Sequence, residues 1–195
     1  MRSGGDQMGE FRIRFVSNNE FKIHEASEIL RPIGIDIIPV NLKIEELQTT
    51  DTERLVKDKV IKAFKAVGRP LFVEHTGLYL NYLNGLPGGL TQIVWDALQA
   101  DRFSEIFGTA SDPKVVARTT IGYIDGRKVY LFAGEISGKI SDTPRGKQEF
   151  QWDCVFIPNG FTETFAQMEQ KKNEISMRRN ALDRFANFLK ERGNR

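Results

Sequence analysis

The chain has 195 residues, 40% of them hydrophobic, which suits one substantial packed domain and excludes a disordered chain. Its 28 Lys and Arg against 26 Asp and Glu leave a net charge of +2, too balanced for the broad basic surface of a nucleic-acid binder. One cysteine, Cys154, cannot form an internal disulfide, two histidines add too little for a zinc cage, and no apolar run nears the ~20 residues of a membrane helix, so a cytoplasmic protein without membrane contact is expected.

Residues 1–10 are polar and glycine-bearing and are expected to be a flexible extension, with 11–195 as a single domain. Phe11, Ile13 and Phe15 alternate with arginines, the period of a half-buried strand, and the run stops at Ser17-Asn18-Asn19. A helix is predicted from about Glu20 to Arg31, ended by Pro32 and Gly34, then a strand over Ile35 to Leu42. Val56, Val60, Phe64 and Val67 recur at helical spacing within Thr52 to Val67, and Gly68 and Pro70 close that helix. Leu71-Phe72-Val73 reads as a buried strand delivering Glu74-His75-Thr76-Gly77 to a loop. Gly85 to Gly89 forms a turn, and Leu90 to Phe107 contains helical patches. Ala117 to Ile124 and Lys128 to Ile136 read as a hairpin turning at Asp125-Gly126. Phe150 to Ile157 is irregular, and Asn180 to Lys190 is a last helix burying Leu182, Phe185, Phe188 and Leu189. The class is α/β with a mixed sheet.

Ser17-Asn18-Asn19-Glu20-Phe21-Lys22 joins a strand to a helix, where free backbone N–H groups and a lysine one turn in make a phosphate cradle; an ordinary cap with a solvated lysine has the same sequence. Far along the chain, Phe150 and Trp152 are placed to sandwich a purine, Asp153 to accept from its ring N–H, and Lys172 and Arg178 to supply positive donors. A hydrophobic strand followed by a solvated helix start is the alternative there.

Together these segments resemble the inosine triphosphate pyrophosphatase family, also called the Ham1 or dITP/XTP pyrophosphatase family. The resemblance runs in order through Ser17 to Lys22, Glu74-His75-Thr76-Gly77-Leu78, Gly85 to Gly88, Phe150 to Cys154 and Lys172 to Arg178. It implies an elongated mixed sheet with flanking helices, two lobes around a nucleotide cleft, and a homodimer. The implied activity is magnesium-dependent hydrolysis of ITP, dITP and XTP to monophosphate and pyrophosphate. By position, Ser17, Asn18, Asn19, Lys22 and Thr76 would bind the triphosphate. Phe150, Trp152, Asp153, Lys172, Met177 and Arg178 would line the base pocket. The metal ligands would be Asp51, Glu74 and His75, with His75 and Lys22 catalytic. Asp51 also fits an N-terminal cap for the helix that follows it.

The chain departs from the family where it matters chemically. His75 stands where the family has a metal-binding aspartate, Met177 where it has histidine, Gln151 where it has glycine and Cys154 where it has proline. Three readings of His75 follow: it acts as a base while acids and phosphates hold the magnesium, the site takes manganese instead, or only nucleotide binding survives.

Overall fold

The computed structural model describes residues 11–193, so the extension expected over residues 1–10 lies outside the described residues. The chain runs β1 (Phe11–Val16), α1 (Glu20–Leu30), β2 (Ile35–Val40), α2 (Thr52–Val67), β3 (Leu71–Leu80), β4 (Pro87–Gly88) and α3 (Thr91–Phe103). It continues through β5 (Lys114–Ile124), β6 (Val129–Ile140), β7 (Phe156–Pro158), α4 (Phe165–Met168), α5 (Lys172–Ile175) and α6 (Met177–Gly193). The strands form one seven-stranded sheet in the order β2-β1-β3-β5-β6-β7, with β4 paired to β3. β1 is parallel to β2 and β3, and the remaining pairs are antiparallel, which makes the expected mixed α/β sheet.

Each face of the sheet is closed by helices whose apolar stripes match it. Leu182, Phe185 and Leu189 of α6 join Ala26 and Ile29 of α1 against Phe15, Phe72 and Tyr123. On the opposite face Leu55, Val56 and Val60 of α2 cover Leu71, Val73 and Ile124. A third cluster, with Trp95, Phe103, Phe156 and Phe165, packs α3 and α4 around the far end of β3 and β5. Gly134 lets α6 lie directly on β6: a Cβ there would strike the Met177 carbonyl and the Ala181 nitrogen. That close approach sets the first turn of α6, and with it Arg178, under the centre of the sheet. Among the described residues no helix is long and apolar enough to cross a membrane.

Two elements differ from the sequence expectation. β3 does not stop at Val73, because ten consecutive residues, Leu71 to Leu80, pair with β5 and hold Glu74 to Gly77 extended. The β5–β6 turn uses four residues rather than the Asp125-Gly126 pair alone. Asp125 Oδ1 accepts from the Arg127 and Lys128 amides at 2.8 Å each, and Gly126 adopts φ +99°.

Candidate functional site

One edge of β3 is interrupted. β1 pairs with it only as far as Phe72, and β4 pairs with it only from Leu78, so residues 73–77 have no strand on that side among the described residues. The cleft opens at this gap. Lys59, reaching from α2, donates to the Glu74 carbonyl at 3.2 Å and so satisfies one exposed edge group.

At the start of α1, Asn19 caps the helix by accepting from the Lys22 amide at 3.1 Å, while the Asn19 amide donates to Ser17 Oγ at 3.2 Å. Ser17, Asn18, Asn19, Lys22, Glu46 and Lys59 line a cavity of about 200 Å³ there. A second cavity, of about 240 Å³, lies beside it and shares Lys22, Glu46, Gln92 and Gln151, adding His75, Thr76 and Trp152. Helix start, lysines and hydroxyls together form an anion cradle.

A cavity of about 450 Å³ lies on the other side of α1, lined by Phe21, Glu25, Phe150, Asp153, Phe165 and Lys172 among others. Lys172 Nζ sits 4.5 Å from the Phe150 ring centroid, and the Phe21 ring lies 5.4 Å from that of Phe150. Trp152 is absent from this lining. Gln151–Cys154 form a tight helical turn that directs neighbouring side chains to different sides, so Trp152 is buried edge-on against Phe156 and faces the 240 Å³ cavity. Phe150 and Trp152 therefore do not oppose each other across a shared slot. Met177 is fully buried in the apolar cluster that contains Trp152 and Phe165.

The charged residues singled out from the sequence converge in one connected row. Asp153 accepts from Lys172 Nζ at 2.6 Å, and Lys172 lies 3.5 Å from Glu25. Arg178 bridges Glu25 to Glu74, gripping Glu74 with Nε at 2.8 Å and a terminal nitrogen at 3.0 Å. Glu74 then meets Lys22 at 3.1 Å. Signs alternate along all six groups from the 450 Å³ cavity to the anion cradle. Burial pushes the Glu74 carboxyl up, but Arg178 and Lys22 outweigh it and hold it at about 2. Burial lowers the Lys22 ammonium despite its carboxylate neighbour, and it raises the Asp153 carboxyl despite Lys172. Arg178, 1% exposed, serves as an internal strut rather than a surface donor.

Side-chain alternation on β3 separates Glu74 from His75. Glu74 points to the α1 and α6 face, and His75 to the α2 face, where its Nδ1 lies 3.5 Å from Glu46 Oε2. Lys59 holds the other Glu46 oxygen at 2.5 Å. Burial lowers the His75 pKa more than Glu46 raises it, and His75 Nε2 is a buried atom without a hydrogen-bond partner. Asp51 is not in this group: it caps α2 through the Arg54 amide at 3.0 Å and lines a different cavity with Tyr79 and Arg118. Glu46 and Lys59, with Glu25, Phe165 and Gln92, are among the cleft residues that the sequence reading did not single out. Glu46 sits in an irregular stretch without periodicity, and Lys59 is one of several lysines on the polar face of α2.

A family model described as the Ham1 family matches residues 13–188. The chain belongs to the Ham1 family. A dITP/XTP pyrophosphatase of Thermococcus kodakarensis is 33% identical over 181 residues, covering 92% of this chain and 98% of the relative. An inosine triphosphate pyrophosphatase of Yarrowia lipolytica is 38% identical over 181 residues, covering 91% and 95%. A Ham1 protein of Coxiella burnetii has the same fold with a TM-score of 0.79 and 26% identity, covering 93% of this chain and 99% of that one. The site described above is thus set in a Ham1 fold, with histidine, methionine and glutamine at three cleft-segment positions, 75, 177 and 151.

Proposed function

We propose that this Ham1 protein hydrolyses noncanonical purine nucleoside triphosphates such as ITP, dITP and XTP between the α- and β-phosphates, releasing monophosphate and pyrophosphate. The observation that carries the reading is the alternating charged row, which joins an aromatic-walled cavity to an anion cradle across one cleft. The base lies against Phe150, where Lys172 and Asp153 supply a donor and an acceptor in a desolvated setting. Backbone amides at the start of α1, with Ser17, Asn18, Asn19, Thr76, Lys22 and Lys59, hold the phosphates, and the lysines offset charge that grows on the leaving pyrophosphate. Glu46 Oε2, 3.5 Å from His75 Nδ1, favours the tautomer that leaves Nε2 bare, and a neutral imidazole at that position takes a proton from the attacking water.

Among the described residues no cluster of three or more His, Cys, Asp and Glu side chains is arranged to hold an ion unaided. Magnesium needs less, because one or two carboxylates suffice when phosphate oxygens and water complete its shell. Glu46, 34% exposed with Lys59 at one oxygen and His75 near the other, is the accessible carboxylate lining both inner cavities, whereas Glu74 is 2% exposed and closed in by Arg178 and Lys22. Glu46 would therefore hold a divalent ion carried in by the triphosphate, and that ion supplies neutralisation of phosphate charge. Exposed Tyr82, Leu86 and Ile93, at 48–52%, support assembly as a homodimer, which light scattering of the purified protein checks.

Incubation with ITP, dITP, XTP and the standard nucleotides, with magnesium or manganese, releases pyrophosphate and not orthophosphate if the reading holds. A second reading, nucleotide binding without turnover, is favoured by histidine at position 75 alone. Calorimetric binding with no pyrophosphate from any nucleotide selects it.

A further inference from the structure

Gln151 combines an unfavourable backbone with a side chain held across the cleft. Its φ is +41°, in the left-handed region that glycine occupies freely and glutamine does not. Among the non-glycine residues with positive φ, Gln151 is the one lining the two inner cavities. Strain of this kind persists where a side chain has work to do in a site.

Its partner fixes which way the carboxamide points. Gln92 Nε2 donates to Asp96 Oδ1 at 2.6 Å, and a carboxylate oxygen only accepts there, so Gln92 Oε1 faces away from Asp96. That oxygen accepts from Gln151 Nε2. The remaining Gln151 atom, Oε1, is then an acceptor that no described residue engages. Position supplies the rest. Gln151 directly follows Phe150, a wall of the 450 Å³ cavity, and itself lines both cavities of the phosphate end. The unit joining a base to a phosphate tail is the sugar, and its 2′-hydroxyl is the hydroxyl nearest the base.

We infer that Gln151, oriented by Gln92, accepts a hydrogen bond from the 2′-hydroxyl of the bound nucleotide and makes this protein prefer ribonucleoside over deoxyribonucleoside triphosphates. The inference rests on the pyrophosphatase reading and adds the sugar to it. Asp96 acts only by aligning Gln92. Because Gln151 is partly exposed, its single acceptor discriminates by roughly tenfold rather than by the far larger factors of sealed sites.

The test compares kcat/KM for ITP and dITP in the wild type, Gln151→Gly and Gln92→Ala. The wild-type ratio is expected near ten, falling to between about one and two in both variants. Gln151→Gly suits the positive φ, and thermal melts of both variants verify folding. Calorimetry with IMP and dIMP repeats the comparison on binding alone. Equal wild-type values for the two sugars, or a ratio unmoved by either substitution, overturns the inference and leaves the pyrophosphatase reading standing. Failure of the wild type to bind or cleave either nucleotide overturns both.

Discussion

Replacing Arg178 with methionine keeps an unbranched apolar stem, two atoms short of the terminal nitrogens, and removes the charge from a site that is 1% exposed. In the native protein the guanidinium makes two hydrogen bonds to Glu74, at 2.8 and 3.0 Å, and a third to Glu25. Breaking a buried pair by removing one partner costs about 3–5 kcal/mol, because the remaining charge stays buried. Here each orphaned carboxylate retains one cation, Lys22 for Glu74 at 3.1 Å and Lys172 for Glu25 at 3.5 Å, so the lower end, about 3 kcal/mol, applies. For a chain of this length that is a fall in Tm of roughly 6–12 °C. Urea denaturation followed by the fluorescence of Trp95 and Trp152, alongside calorimetry at pH 7, measures both quantities. The double variant Arg178→Met, Glu25→Gln leaves two matched pairs, Asp153 with Lys172 and Glu74 with Lys22, and is expected to regain more than half of the loss. A single variant within 1 kcal/mol of wild type, or a double variant less stable than the single, refutes the account of Arg178 as a strut.

Glu74, held at about 2 against an ordinary 4.5, contributes stability that is complete above about pH 4.5 and is lost as the pH falls toward 2. Glu46 is shifted the same way and Asp153 the opposite way, so Glu74→Gln is expected to flatten that acid limb only in part, as read by Tm against pH. Asp51→Ala is expected to cost about 1 kcal/mol through loss of the α2 cap while leaving pyrophosphate release in place. Glu46→Gln is expected to lower kcat at least a hundredfold and also to lower Tm, because the Lys59 ion pair goes with the charge. Matched losses of activity in those two variants would return Asp51 to the metal site.

What was legible in the sequence follows the range over which its signals act. Alternation in β1 and the stripe on α6 are local patterns, and Ile13, Phe15, Leu182 and Phe185 are buried as those patterns require. The convergence of Lys22, Asp153, Lys172 and Arg178 was legible only through the ordered segments that resemble the family. Local reading failed where distant pairing overrides composition. Glu74-His75-Thr76-Gly77 is polar and turn-like by itself, yet it is strand because β5 pairs with it throughout. That extension sends Glu74 and His75 to opposite faces, which a loop would not have done. Glu46 enters the cleft from a stretch with no periodicity, and nothing in one sequence distinguishes Lys59 from Lys57 or Lys62.

The buried row that crosses the cleft holds three acids, Asp153, Glu25 and Glu74, and three bases, Lys172, Arg178 and Lys22. It is electrically neutral as a whole, and no member can be neutralised alone without leaving a stranded ion in the protein's interior. Mutational drift at this location must therefore proceed through compensating double replacements or not at all. His75, Met177 and Gln151 lie off the row, and each could change one at a time. Substitution at those three positions is free of that electrostatic constraint, and new substrate preferences have their easiest point of entry there.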